Sequence, residues 1–347
     1  MRRWMRSPSR CVTPDPMSGQ GEFEYIQSRL APLSAGLPGA AGLADDGAVL
    51  SPPEGCEWAI TADTLIEGRH FPHDEDPALA ARKALRVNLS DLAAMGADPY
   101  AYLACIVWPE EGRESRMAGF ADGLALDQAE YGLHLAGGDT TAAPGPWMIS
   151  ITAFGVVPKG RAVRRGGARP GEAVLVTGAI GDAGLGLWAR QGAYAPNPND
   201  ASYLSRRFTL PDPRCALTSV VRAFATAAID ISDGLLSDAG HVAQASGVML
   251  ELDLDKMPRS RAAEAWVHAQ TDHDEALLKL ASAGDDYELL LTVPEDRVQE
   301  FIEASQELGV PVSRLGRVLS EDVSTGGVVV TARDRILTPS SFGFTHF

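Results

Sequence analysis

TADTLIEGRHF (61–71) and KALRVNLSDLAAMGADP (83–99) decide how this chain folds. The first block ends a strand-like run, Trp58-Ala59-Ile60-Thr61-Ala62, on Asp63, and the second places Asp91 inside an apolar helix. Local rules delimit that helix. Asp76 suits the N-cap and Pro77 the first turn, while Gly96 and Pro99 supply a stop. Leu79, Leu85, Val87, Leu89, Leu92 and Met95 make an apolar surface too wide for a helix exposed along one side. Asn88, Ser90 and Asp91 therefore sit where water is scarce, and a carboxylate there needs a partner. Either Asp91 caps a backbone or pairs with Lys83 or Arg86, or it belongs to a site.

Working outward, residues 22–33 (EFEYIQSRLAPL) read as a short amphipathic helix, followed by a Gly/Pro/Ala-rich loop over 34–42. The turn carrying Asp45 and Asp46 leads into a strand up to Leu50, and residues 56–63 read as its hairpin partner. Residues 100–108 (YAYLACIVW) and 147–157 (WMISITAFGVV) are buried strands. Between them lie a helix over 114–131 and a strand, 133–136, that runs into Gly137-Gly138-Asp139-Thr140-Thr141. The basic, glycine-rich segment 159–171 (KGRAVRRGGARPG) connects this half to the next. Beyond it come strands at 172–177, 227–232, 248–254, 286–293, 310–318 and 328–331, with helices over 178–190, 233–246, 264–280 and 295–308. Residues 193–212 are polar and rich in Pro and Asn, and read as a surface excursion. The alternation predicts an α/β (α+β layered) chain of two domains, 17–158 and 159–347, preceded by residues 1–16 as a disordered extension or an upstream start codon.

With 347 residues and 45% hydrophobic content the chain can bury full cores. Forty-six acidic against thirty basic residues give a net charge of −16, which argues against nucleic acid or an anionic membrane as partner. The four cysteines, Cys11, Cys56, Cys105 and Cys215, form no CxxC pair. Neither a zinc site nor a disulfide framework is indicated, and a cytoplasmic location is expected. No apolar run reaches the length of a membrane span.

The same pattern, Asp beside Gly, Ser or Thr at an element boundary, recurs at Asp45-Asp46, Thr61-Ala62-Asp63, Ser90-Asp91, Gly138-Asp139-Thr140, Asp230-Ile231-Ser232-Asp233 and Gly284-Asp285-Asp286. Asp230 and Ser232 share one face of their strand, and Asp233 lies where the next helix leaves its backbone N–H groups free. Two unit charges about 4 Å apart repel by roughly 4 kcal/mol at an effective dielectric of 20, and a domain's whole margin is about 5–15 kcal/mol. If these acids converge, cations must stand between them. The donors are all oxygen, without His or Cys ligand spacing, so Mg²⁺ (or Mn²⁺) with phosphate is the natural complement. The alternative is that each Asp caps its own turn. There is no GxxxxGK[ST] loop, no HRD/DFG pair and no GxSxG elbow. His70 and His73 lack a third metal-ligand partner nearby, and His70 reads better as a phosphate or substrate contact.

With these residues in view, the chain resembles the thiamine-monophosphate kinases, of the superfamily that includes aminoimidazole ribonucleotide synthetase. ADDGAVL, TADTLIEGRHF, KALRVNLSDLAAMGADP, GGDTT, GRAVRRGGARPG, IDISDG, GDDYELLLT and the terminal GFTHF occur in that order from residue 21 to the end. The resemblance implies transfer of the ATP γ-phosphoryl group to thiamine monophosphate, giving thiamine diphosphate and ADP. It implies a homodimer whose N-terminal sheets pair into a barrel, with residues 17–158 binding ATP and Mg²⁺ and an α+β domain over 159–347. Carried over residue by residue, Asp46, Thr61, Ala62 (by its carbonyl), Asp63, Asp91, Asp139, Asp230 and Asp233 resemble the Mg²⁺ ligands. Gly138, Asp139, Arg165 and Ser232 resemble ATP contacts, and His70, Asp285 and Phe342 contacts to the thiamine substrate. Ala44 stands where the family usually has Gly, Asp285 where it has Glu, and Ser341 where a Trp often lies, with Phe342 next to it as the substitute. The acceptor is already a phosphate, so no catalytic side chain acting as base is expected; positioning and charge neutralisation carry the reaction. A selenophosphate synthetase would need a reactive Cys near a glycine-rich N-terminus, and a hydrogenase maturation factor a C-terminal Cys. A silent nucleotide-binding module would have lost some of the acids.

Overall fold

The computed structural model describes residues 21–319 and 327–343. The expected extension, residues 1–16, and the end of the GFTHF block lie outside the described residues. A helical turn, α1 (Glu22–Tyr25), continues through π and 3-10 turns to Ser34, and a further 3-10 segment covers Pro38–Leu43. The strands of the first half are β1 (Cys56–Ile66), β2 (Asp98–Pro109), β3 (His134–Ala143) and β4 (Met148–Pro158). They form a four-stranded sheet in the order β1-β4-β2-β3, antiparallel except for the β2/β3 pair.

Two helices, α2 (Pro77–Ala94) and α3 (Arg113–Tyr131), cover one face of this sheet. The capping reading of α2 holds: the Asp76 carboxylate accepts from the Ala78 N–H at 2.7 Å, and Pro77 opens the helix. Nearly all of α2 beyond its first turn is buried, because α3 and the sheet pack on one side and the second half of the chain on the other. A stacked Trp108–Trp147 pair, 5.4 Å between centroids, fills the centre of this core. On the opposite sheet face Trp58 packs against Tyr100 and Phe154 at 5.1 and 6.1 Å, and Ile60 is 55% exposed.

The second half contributes β5 (Ala173–Thr177), α4 (Asp182–Arg190), α5 (Pro198–Thr209), α6 (Thr218–Phe224), β6 (Ala227–Asp230) and α7 (Leu235–Ser246). After these come β7 (Met249–Asp253), α8 (Arg261–His268), α9 (His273–Ala281), β8 (Leu289–Val293) and α10 (Val298–Glu307). The described chain closes with β9 (Val312–Leu319), β10 (Gly327–Ala332) and β11 (Arg335–Leu337). The strands make a seven-stranded sheet, β11-β10-β7-β9-β5-β8-β6, in which only β10/β7 is parallel. A shared apolar cluster containing Ala93, Ala94, Leu217, Val221, Leu289 and Phe301 joins α2 to this sheet. The mixed α/β architecture with two sheets agrees with the expected fold class.

Four local expectations are corrected. Residues 43–50 form no strand, and β1 pairs with β4 instead. Leu43 takes a positive φ of 56°, and Pro52 and Pro53 lack the N–H that a ladder requires. The excursion over 193–212 contains α5, capped by the Asn197 side chain on Asn199 N (3.0 Å) and Asp200 N (3.2 Å), with Leu204 and Phe208 buried. The helix expected over 264–280 is two, because Asp272 accepts from Glu275 N at 3.1 Å and starts α9 afresh. The strand expected from residue 286 begins at Leu289, since Asp285 (φ 68°) and Tyr287 (φ 52°) bend the backbone before it.

Candidate active site

A cleft of about 660 Å³ opens where α2, the middle of β1, which runs on past Asp63 to Ile66, the 159–171 connection and β6 meet. Thr61, Ala62, Asp63, Asp91, Arg165, Asp230 and Ser232 line it, joined by Arg164 and Tyr287. Asp91 pairs with neither basic neighbour on its helix. Lys83 reaches Asp285 and Arg86 is clamped to Asp127 and Glu130, while Asp91 accepts from the Thr61 hydroxyl. The Asp63 carboxyl is pushed up to about 6 by burial, then by Asp91, with which it shares a hydrogen bond, and by Asp233. Asp230 is raised well above the carboxylate range by burial and by Asp91.

Backbone geometry sets these acids. β6 ends at Asp230, and the turn after it is gripped by Asp238 of α7, whose Oδ2 accepts from Ser232 N (3.0 Å) and Asp233 N (3.1 Å). Asp238 is itself pushed up to about 7, by burial and then by Asp233. Across the turn Asp285 N donates to Ser232 O at 2.8 Å, an approach that requires glycine at 284 because a Cβ there would lie 2.4 Å from that same oxygen. Asp238 and Tyr287 were missed in the sequence. An acid in the first turn of α7, able to reach back to free N–H groups, was the available signal for Asp238.

Asp46, Gly138 and Asp139 lie elsewhere, in a second cleft of about 680 Å³ between the 38–50 segment and the exposed sheet face. Along the sheet Asp63 is level with Ile151, Ile151 with Ala104, and Ala104 with Gly138. Three strand spacings of about 4.8 Å therefore separate Asp63 from the Gly138-Asp139 pair, roughly 14 Å, too far for one ion to be ligated by both within one chain. Gly138 itself is obligatory, since at φ 149° a Cβ would fall 1.9 Å from Ala104 O. Among the described residues no trio of His, Cys, Asp or Glu is drawn together tightly enough to hold a metal unaided.

None of the three thiamine-contact candidates lines the first cleft, although Asp285 is bonded through its N–H to Ser232 on the cleft wall. The His70 Nδ1 accepts from Ile66 N at 2.9 Å, so neutral His70 carries its proton on Nε2. Asp285 Oδ2 lies 3.4 Å from Lys83 Nζ and its Oδ1 3.3 Å from the Tyr287 hydroxyl. Phe342 is 49% exposed, next to Ser341, whose carbonyl accepts from Ser282 at 2.8 Å.

Comparison with known proteins decides the family. The chain is 41% identical over 325 residues to the thiamine-monophosphate kinase of Caulobacter vibrioides, spanning 94% of this chain and 90% of that one. It is 42% identical to the thiamine-monophosphate kinase of Salmonella typhimurium, over 94% and 98%. The chain belongs to the thiamine-monophosphate kinase family. Residues 44–157 match the N-terminal domain, and residues 169–329 the C-terminal domain, of the AIR synthase related proteins. The solved structure of AaThiL complexed with AMPPCP and TMP superposes with a TM-score of 0.74 at 28% identity, over 94% of this chain and 97% of that one. The thiamine-monophosphate kinase fold thus spans both sheets and the cleft between them.

Proposed function

We infer that this protein is an ATP-dependent kinase that phosphorylates thiamine monophosphate to thiamine diphosphate, the last step in making that cofactor. The observation that carries the reading is the convergence of Asp63, Asp91 and Asp230 with Arg164, Arg165 and Ser232 in one cleft of a chain related over its length to thiamine-monophosphate kinases. A relative bound to an ATP analogue and TMP supports the choice of both substrates.

Divalent cations fit the cleft. Burial and then mutual repulsion raise the pKa of Asp63 and Asp230, a strain that a bound cation would relieve, and the buried Oδ1 of Asn88, one helical turn from Asp91, has no hydrogen-bond partner. Thr61, the Ala62 carbonyl, Asp63, Asp91, Asp230 and Asp233 would hold Mg²⁺ at the first cleft, and Asp46 and Asp139 at the second. The open spacing of these donors suits ions that keep water and phosphate oxygens in their shell. When bound, Mg²⁺ would neutralise charge building on the transferred phosphoryl group.

The remaining work falls to the chain. Arg165 would bind phosphate oxygens from the connection, and Ser232 would orient them from the turn after β6. Gly138 and Asp139 would contact ATP from the second cleft. The His70 Nε2–H would donate to the acceptor's phosphate, while Asp285 and Phe342 would hold the thiamine moiety. A phosphate monoester is a competent nucleophile at neutral pH, so transfer would be direct and in line, with no side chain acting as base. The two clefts would be joined in a homodimer, its half-exposed sheet faces around Trp58, Phe154 and Ile60 closing on one another as a barrel. A cytoplasmic setting fits the free Cys56, Cys105 and Cys215, and no described helix is long and apolar enough to cross a membrane.

The test is an end-point assay of purified protein with Mg-ATP and thiamine monophosphate, with unphosphorylated thiamine in parallel. One ADP per thiamine diphosphate, from the monophosphate only, is expected. ADP without diphosphate would overturn the substrate, and a phosphorylated protein trapped during turnover would overturn the direct mechanism.

A further inference from the structure

Lys83 is 2% exposed, deep in α2, where Met or Leu would pack at far lower cost than an ammonium group. The acid it binds comes from the other half of the chain, 202 residues away: Nζ lies 3.4 Å from Asp285 Oδ2. The same Nζ donates to the backbone carbonyl of His70 at 3.1 Å, in the turn after β1. A third wall is the ring of Phe208 from α5, 3.8 Å below the nitrogen. Lys83 therefore touches, at one atom, both His70 and Asp285, two of the residues proposed to hold the acceptor substrate. Its own environment is hostile to charge: burial lowers its pKa, with Asp285 the main opposing influence.

We propose that Lys83 is the positioning residue of the acceptor site, fixing the distance between the His70 turn and the Asp285 carboxylate so that both meet one thiamine monophosphate. This rests on the kinase reading above. The geometry gives it content. Asp285 sits at φ 68°, with its N–H on Ser232 O and its two oxygens on Lys83 and Tyr287, so removing the ammonium frees the ion pair that ties its carboxylate to the first half of the chain. The His70 carbonyl loses the same anchor. ATP, by contrast, is bound through Arg165, Ser232 and the Gly138 cleft, none of which Lys83 touches.

The experiment is steady-state kinetics on the full-length protein, varying each substrate separately, for wild type, Lys83→Met, Lys83→Gln, Asp285→Asn and Lys83→Met/Asp285→Asn. The expected result is a KM for thiamine monophosphate raised about tenfold to a hundredfold in Lys83→Met, with the KM for ATP within about twofold of wild type. Lys83→Gln, which keeps a donor for the His70 carbonyl, should recover part of the loss. The double variant should be less impaired than the two single losses multiplied together, because both remove the Lys83–Asp285 tie. Should Lys83→Met not fold, Lys83→Gln and Asp285→Asn must give the selective KM effect by themselves. Unchanged KM values, or both KM values rising together, would overturn the proposal with the kinase reading intact. Wild-type protein inactive on thiamine monophosphate would overturn the reading and the proposal with it.

Discussion

Replacing Asp63 by Asn should make the metal-free protein more stable while abolishing its activity. The Asp63 carboxyl rises from 3.8 to about 6 on folding, chiefly through burial and the neighbouring Asp91 charge. A carboxyl raised in the fold is held protonated more tightly there than in the unfolded chain. Its contribution is therefore most favourable below the unfolded value near 4 and is lost as the pH climbs through about 6. At roughly 1.4 kcal/mol per unit, the full loss by pH 8 is about 3 kcal/mol. The amide in the Asp63→Asn variant carries no charge to bury, so the variant escapes that loss. The assay is thermal unfolding in a chelator at pH 4.5 and pH 8. Asp63→Asn should melt about 5 °C above wild type at pH 8 and close to it at pH 4.5. Added Mg-ATP should then raise the wild-type midpoint more than the variant's. A variant less stable than wild type at pH 8, or stabilised equally at both pH values, would refute the electrostatic reasoning and return Asp63 to a structural cap.

Two further outcomes follow from buried contacts away from that cluster. Asp127→Ala removes the carboxylate that holds Arg86 at 2.8 and 2.9 Å and Arg82 at 2.7 Å in the α2/α3 core, leaving Arg86 to Glu130 and the Pro211 carbonyl, and should cost about 3 kcal/mol in urea unfolding. Gly138→Ala forces a methyl into Ala104 O at a backbone angle that L residues avoid; a loss of about 1–3 kcal/mol is expected, with a raised KM for ATP and little change in that for thiamine monophosphate.

Much of the site was legible because its chemistry is written in local patterns. The Asp76 cap and the Gly96 stop bound α2 without reference to anything distant, and the breadth of its apolar face announces that Asn88 and Ser90 are enclosed, with Asp91 half-buried beside them. Repetition of one motif at element ends pointed to acids that meet, and Asp63, Asp91 and Asp230 do line one cleft, while Asp46 and Asp139, which carry the same motif, line another. What the sequence hid depends on long-range pairing. Lys83 looks like one more basic residue near a helix start until Asp285 is found beside it. Helix α5 was obscured because its exposed side carries the polar residues that loops also use, while the contacts of Leu204 and Phe208 are tertiary. The separation of Asp139 from Asp63 was equally invisible, since it is set by strand order and not by distance along the chain.

Residues 285–288 send their side chains to different neighbours in succession. Asp285 goes to Lys83, and Asp286 to the N–H groups of Gly181 and Ala183 at the start of α4. Tyr287 enters the core of the first half, and Glu288 takes Arg207 and Arg214. Each residue is thus addressed by its place in a fixed count. One inserted or deleted residue would shift every address that follows, sending a carboxylate into an apolar core and a phenol against arginines. This is a stretch whose length admits no edit, unlike the exposed turn at 144–146, where an extra residue meets mostly solvent.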